Sequence, residues 1–128
     1  MTTPFWCLFI ATLLPILTSW VSGYFRLQQL GAIDNKQPRL QNSQLQGAGA
    51  RAVAAQSNAW EALIVFACAV FVAHLSGAPA DSAATAAIAF IISRILHGVF
   101  YVMNLDVLRS LAFIVSYGCC IWLFLMGT

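Results

Sequence analysis

The feature that most constrains this chain is a set of four apolar stretches, each about long enough to cross a bilayer, with few charges inside them. A helix needs roughly 20 apolar residues to cross the hydrocarbon core. Residues 5–24, 52–75, 83–102 and 107–126 meet that requirement. Charged residues make up 8% of the 128 and hydrophobic ones 61%, whereas soluble domains carry about a quarter charged residues. A soluble fold this small leaves too much surface exposed to hide so much apolar side chain. A soluble globular enzyme is therefore excluded, as is a disordered chain. The net charge of +2 comes from a few scattered residues, so no nucleic-acid footprint is present. What remains is an integral membrane protein.

The breaks between spans set the topology. No Lys or Arg precedes the first span, which argues against a secretory signal and for a membrane helix. Pro15 lies inside that span, where a proline is tolerated if neighbours satisfy the freed carbonyl. The turn Ser76-Gly77-Ala78-Pro79-Ala80-Asp81 ends the second span, whose helix is expected to begin near Ala50. Asp81 or Ser82 is the expected N-cap of the third span, and Asn104-Leu105-Asp106 forms the last turn. Two short connections make antiparallel neighbours, so the expected fold class is an all-α up-down-up-down four-helix membrane bundle, a single domain over residues 1–128. The long connection, about residues 25–49, carries Arg26, Lys36 and Arg39 among six glutamines, and Arg109 falls on the same side. Basic residues collect in cytoplasmic loops, so the long loop is expected in the cytoplasm and both termini outside. Small residues such as Ala67, Ala69, Ala73, Ala83, Ala86 and Ala87 suit close helix approach, within the bundle or at a subunit interface. Cys7, Cys68, Cys119 and Cys120 form no metal-binding pattern and read as small buried hydrophobes.

The informative residues are those that cost free energy where they sit. A charge near the bilayer centre costs roughly 2.5–3.5 kcal/mol even on insertion scales, so it normally faces the interior and finds a partner. Arg51, Asn58 and Glu61 fall on one stripe of the second span, at about 100° per residue. Arg94, His97 and Tyr101 share a face of the third, and Arg109 opens the fourth. Glu61 is the expected partner of Arg94, with depths differing by about 6 Å from the helix rise. Blander readings accompany each group. Glu61 and Arg94 serve equally as a buried pair that sets helix register. Arg109 serves as an interfacial anchor reaching the headgroups, and Tyr101 as an aromatic-belt residue. Taken as a constellation, several guanidiniums, a carboxylate, an amide and a phenol at the mouth of an apolar bundle suit a small zwitterion bearing carboxylates and an amine. An apolar co-substrate would enter from the bilayer. If the polar ligand holds a thiol, a nearby Arg favours its thiolate.

These residues resemble motifs of the MAPEG family, the membrane-associated proteins in eicosanoid and glutathione metabolism. Its second helix typically reads Glu-Arg-x-x-Arg-Ala-x-x-Asn-x-x-Glu. The matching stretch here begins at Ala50, and Arg51, Ala55, Asn58 and Glu61 fit it, whereas Ala50 and Ala54 stand where the family has its leading Glu and second Arg. Its third helix often reads Arg-x-x-Tyr-x-x-x-Tyr followed by a later Arg. Arg94, His97, Tyr101 and Arg109 resemble this, with His97 at the first Tyr. Asp34-Asn35-Lys36-Gln37-Pro38-Arg39 resembles a loop of bacterial members, which points to a bacterial inner membrane.

The resemblance implies a homotrimer with glutathione as co-substrate between subunits. It implies that Arg51, Asn58, Glu61, Arg94, His97 and Tyr101 hold glutathione, and that Arg109 is catalytic through the thiolate. The implied activity is a glutathione-dependent transferase or peroxidase acting on hydrophobic electrophiles from the bilayer. A non-catalytic lipid-binding or scaffold protein of the same fold is the second reading, since some members bind lipids or other hydrophobic small molecules without turnover. An ion or proton carrier using Glu61, His97 and Arg94 is a third.

Overall fold

The computed structural model describes residues 1–128 as five helices and no strands. Four are long: α1 (Thr3–Leu30), α3 (Ala48–Leu75), α4 (Ala80–Val102) and α5 (Asp106–Leu125); α2 (Pro38–Asn42) is a single turn and a half in the long connection. Each long helix is apolar and long enough to cross a membrane, so the chain is an integral membrane protein with the expected four-helix bundle. Only 29 of the 128 residues are buried. Most of the apolar surface therefore faces outward, which lipid or protein must cover.

The helices do not form a closed square. α1 packs on α3 and α5 packs on α4, while α3 and α4 also pack on each other; α1 and α5 do not touch. α3 and α4 are thus the middle of the bundle, with α1 and α5 on opposite flanks. Small residues, which let backbones approach closely, make up much of the buried face of both α3 and α4. Ala55, Ala59, Ala62, Ala69 and Ala73 of α3 and Ala83, Ala86 and Ala87 of α4 are all buried. At mid-height the rings of Phe66 and Phe90 stack 3.8 Å apart at an interplanar angle of 8°.

Both short connections close with a left-handed residue after the helix end. Gly77 has φ 74° and Asn104 φ 61°. The next amides, of Ala78 and Leu105, donate back to the carbonyls of Ala73 and Phe100 at 2.9 Å, the six-to-one bond of a Schellman ending. The expected N-cap at Asp81 or Ser82 is corrected: α4 starts after Pro79, and Asp81 lies in its first turn, where a carboxylate favours the positive end of the helix dipole.

At the end of the bundle that carries the long connection, here the loop end, α1 and α3 run on past the apolar spans. α1 continues to Leu30 and α3 begins at Ala48. Gln29 clamps the two: its Nε2 donates to the Gln46 carbonyl and its Oε1 accepts from the Gln46 amide, both at 3.0 Å. Gly49 is held where a Cβ would lie 3.0 Å from Gln29, 3.1 Å from Phe25 and 3.2 Å from Leu45. One cysteine expectation is also corrected. Cys7, Cys119 and Cys120 are buried, but Cys68 faces outward, because it sits on the side of α3 opposite its alanine-rich face.

Overpacking a tight helix contact costs typically 1–3 kcal/mol. Gly49→Leu is expected to destabilise the protein by about 2 kcal/mol, with Gly49→Ala costing less. Thermal unfolding in detergent micelles checks both, and unchanged stability in Gly49→Leu would show that the loop-end clamp yields freely.

Candidate functional site

The polar residues of the middle helices meet near the loop end. Arg94 projects from α4 toward α3 and keeps only 4% of its surface exposed. Its Nη2 donates to Oδ1 of Asn58 at 2.6 Å. Glu61 does not pair with it, which corrects the expected ion pair. The reason is helical phase. The buried side of α3 is set by Ala55, Ala59, Ala62 and Phe66, and Glu61 lies about 100° from Ala62, on an exposed side. Asn58 is one turn nearer the loop end and points inward, so the amide takes the guanidinium.

His97, one turn from Arg94, is 2% exposed. Its ring meets Tyr101 edge-on at 5.7 Å and Phe113 of α5 at 6.3 Å. The Arg109 guanidinium of α5 lies over the Tyr101 ring, 4.6 Å from its centroid, a cation–π contact that holds the arginine against α4. Arg51 reaches from α3 to the last turn of α4, where its Nε donates to the Val102 carbonyl at 3.2 Å. A cation there complements the negative end of the helix.

Asn58, His97 and Arg109 line one recess of about 350 Å³ between α3, α4 and α5, together with Ser110, Phe113 and Ile114. Of the seven residues singled out from the sequence, these three face a shared space. Arg94 stands behind them, holding Asn58, and Tyr101 lies beneath Arg109. Arg51 ties the loop-end rim. Glu61 stands apart, on an exposed stripe of α3 with Ser57, Ile64 and Cys68.

Four buried side-chain polar atoms have no hydrogen-bond partner within the chain, and two of them belong to these residues: Nη1 of Arg94 and Nδ1 of His97. Buried polar groups are normally satisfied, so these atoms mark a place where a ligand or water completes the shell. Ser110 and Phe113 were not foreseen. Phe113 follows Arg109 by four residues and shares its side of α5, so counting helical neighbours from Arg109 would have found it, whereas Ser110 lies about 100° further round and borders the recess from the adjacent side. Phe113 in turn stacks on Tyr117, centroids 4.6 Å apart.

On the other side of α4, a larger cleft of about 540 Å³ lies between α1, α3 and α4. Its lining is almost wholly apolar, and Arg94 and His97 are exceptions. The molecule therefore offers a polar recess on one side of the middle helices and an apolar cleft on the other, with His97 bordering both.

The Asn58 contact is testable by itself. A hydrogen bond to a charged group contributes about 1.5–3 kcal/mol. Asn58→Leu should lose an amount in this range, measured by unfolding in mixed micelles, whereas Asn58→Asp should hold stability by offering Arg94 a carboxylate. Equal stability of all three forms would mean that Arg94 has another partner.

Comparison with curated proteins and with solved structures finds no match to this chain. The model of the MAPEG family, by contrast, matches residues 3–128, from the first turn of α1 to the last residue, so the whole bundle described above falls inside the match and the chain belongs to the MAPEG family.

Proposed function

We propose that this protein is a glutathione-dependent transferase or peroxidase that acts on hydrophobic electrophiles drawn from the bilayer. Family membership already makes it a membrane protein of eicosanoid and glutathione metabolism. The observation that carries the finer reading is the convergence of Asn58, His97 and Arg109 on one recess that adjoins an apolar cleft. The recess lies within the size range of small-molecule sites. Glutathione, a peptide with two carboxylates, an amine and a thiol, fits this donor set. The unpartnered Nδ1 of His97, a residue that lines the recess, is a nitrogen of the kind its carboxylate and carbonyl oxygens require.

Bound glutathione supplies the nucleophilic sulfur, and in the peroxide case the reducing electrons. The chain's residues have the remaining tasks. Arg109, packed on Tyr101, places a permanent positive charge at the recess and favours the thiolate over the thiol. Asn58, fixed by Arg94, orients the peptide, and Arg51, Arg94, His97 and Tyr101 complete the binding shell. Arg109 is the catalytic residue of this reading.

Glu61 belongs to the same shell only if a second copy covers it. A carboxylate near mid-helix cannot comfortably face lipid, where a charge costs roughly 2.5–3.5 kcal/mol. Its exposed stripe, with Ser57, Ile64 and Cys68, supports a homotrimer in which a neighbouring subunit closes the site. Arg26, Lys36, Arg39 and Arg109 all lie at the loop end, which supports a cytoplasmic loop and outward termini; a bacterial inner membrane rests on the resemblance of the Asp34–Arg39 loop alone.

Calorimetry with glutathione in detergent is the direct test: binding heat is expected, and its absence at millimolar glutathione with intact oligomers would end the reading. Arg109→Ala should abolish turnover while the oligomer stays assembled; if turnover survives, Arg109 is only an anchor. Glu61→Gln should weaken assembly and glutathione binding together, followed by native mass spectrometry and calorimetry.

A second reading, a non-catalytic lipid-binding or scaffold protein, has one observation in its favour. Ala54 stands where the family's second Arg falls, which removes one cation from the shell. Retained lipid in native mass spectra without thiol-dependent turnover would favour it.

A further inference from the structure

α1 is longer than its apolar stretch, and the surplus fixes the depth of the loop that follows. At 28 residues it rises about 42 Å, against roughly 40–45 Å for a bilayer with both headgroup layers. Trp20 and Tyr24 are exposed toward its end, residue types that sit at the level of the headgroups. The last turn of α1, from Arg26 to Leu30, therefore stands among the headgroups. Gly31, with φ 83°, then turns the chain out of the helix.

The loop does not run off into water. Gln41 of α2 folds it back: its Nε2 donates to the Ala32 carbonyl at 2.7 Å, and its Oε1 accepts from the Asp34 amide at 2.9 Å. The same oxygen lies 3.5 Å from Nη1 of Arg26 on α1, and α2 also packs on α3. One side chain thus holds residues 32–34, α2 and the end of α1 together at headgroup depth. On this plate Ile33, Lys36, Arg39 and Leu40 are all exposed. Asp34 is its one acid, and Oδ1 of that carboxylate already accepts the amides of Lys36 and Gln37 at 2.9 and 3.1 Å. Asp106, also at this end, opens α5 on the opposite flank of the bundle.

We infer that residues 32–42 form a docking surface for anionic phospholipids of the adjoining leaflet. Lys36 and Arg39 meet the headgroup phosphates, while Ile33 and Leu40 enter the boundary with the acyl chains. Charge complementarity selects this occupant. Two exposed cations sit at the level of the lipid phosphates, and the one carboxylate beside them is engaged by backbone amides. Large apolar side chains exposed at that depth have the upper acyl region as their neighbour. The Gln41 clamp keeps both cations at one level, which a free linker would not do. This surface stands apart from the recess and does not depend on the glutathione reading.

The test uses the full-length protein in micelles holding equal amounts of phosphatidylglycerol and phosphatidylcholine, with retained lipid counted by native mass spectrometry. Wild-type protein should keep phosphatidylglycerol by roughly tenfold, since each surface cation contributes about a fivefold preference and Asp34 opposes them. Lys36→Gln combined with Arg39→Gln should remove that preference. Gln41→Leu, which keeps every charge, should lose most of it. Should Gln41→Leu lose its helical signature, Ile33→Ser with Leu40→Ser takes its place, with the same loss expected. Hydrogen exchange supplies a local readout: amides of residues 33–42 should exchange more slowly in nanodiscs containing phosphatidylglycerol than in phosphatidylcholine alone.

A preference that survives in the Lys36 and Arg39 double variant overturns the inference, because the lipid then sits elsewhere. A preference kept in full by folded Gln41→Leu protein overturns it too, by reducing the plate to loose charge. Displacement of phosphatidylglycerol by water-soluble glycerol phosphate would do the same, since the site would then serve free phosphates rather than a membrane surface.

Discussion

The structure depends on a cation that has no carboxylate partner. Arg94 sits between the two central helices with almost none of its surface exposed, and one arm of its guanidinium is held by the Asn58 amide. A permanent charge in a low-dielectric interior must be hydrogen-bonded to be tolerable. That demand sets the rotation of α4 about its axis and fixes Asn58 on α3. With both helices set in this way, His97 falls between the recess and the cleft, and Arg109 meets the face of Tyr101. The bundle is arranged around the needs of one guanidinium.

Packing in lipid explains the rest of the architecture. Between membrane helices the hydrophobic effect contributes little, because lipid tails are as apolar as leucine, so close contact and hydrogen bonds hold the bundle. The alanine faces of α3 and α4 provide that contact, and the stacked Phe66 and Phe90 rings fill the middle. At the loop end the polar headgroup region takes over. There the Gln29 clamp and the close approach at Gly49 join α1 to α3 just beyond the spans. The recess stands on three helices rather than on loops, which holds its side chains with more precision than a loop would.

Much of this was legible in the sequence. Four apolar stretches of span length admit few arrangements, because unsatisfied backbone in lipid is so costly that only helices or closed barrels cross it. Gly77 and Asn104 announced the two sharp turns, since both residues tolerate the left-handed backbone found there. The spacing of Arg94, His97 and Tyr101 put them on one side of α4, and Arg109 was marked as the polar entrance to α5. The short α2 was not visible, as five residues of mixed polarity carry no periodic signal. The absence of contact between α1 and α5 was equally hidden, because connection lengths tell which helices are antiparallel but not which flank the others occupy.

The sequence by itself determined the solvent, the number of crossings and the roster of costly polar residues, since each follows from composition and local spacing. Only the tertiary structure decided which polar group meets which. Glu61 looked like the natural counter-ion of Arg94 by charge and depth, yet a rotation of a fraction of a turn gave that place to Asn58. Partner choice depends on helix phase to within tens of degrees and on crossing geometry to within an ångström or two. Those quantities emerge from how the alanine faces pack and from the buried guanidinium's demand for a partner, and no run of residues along the chain encodes them locally.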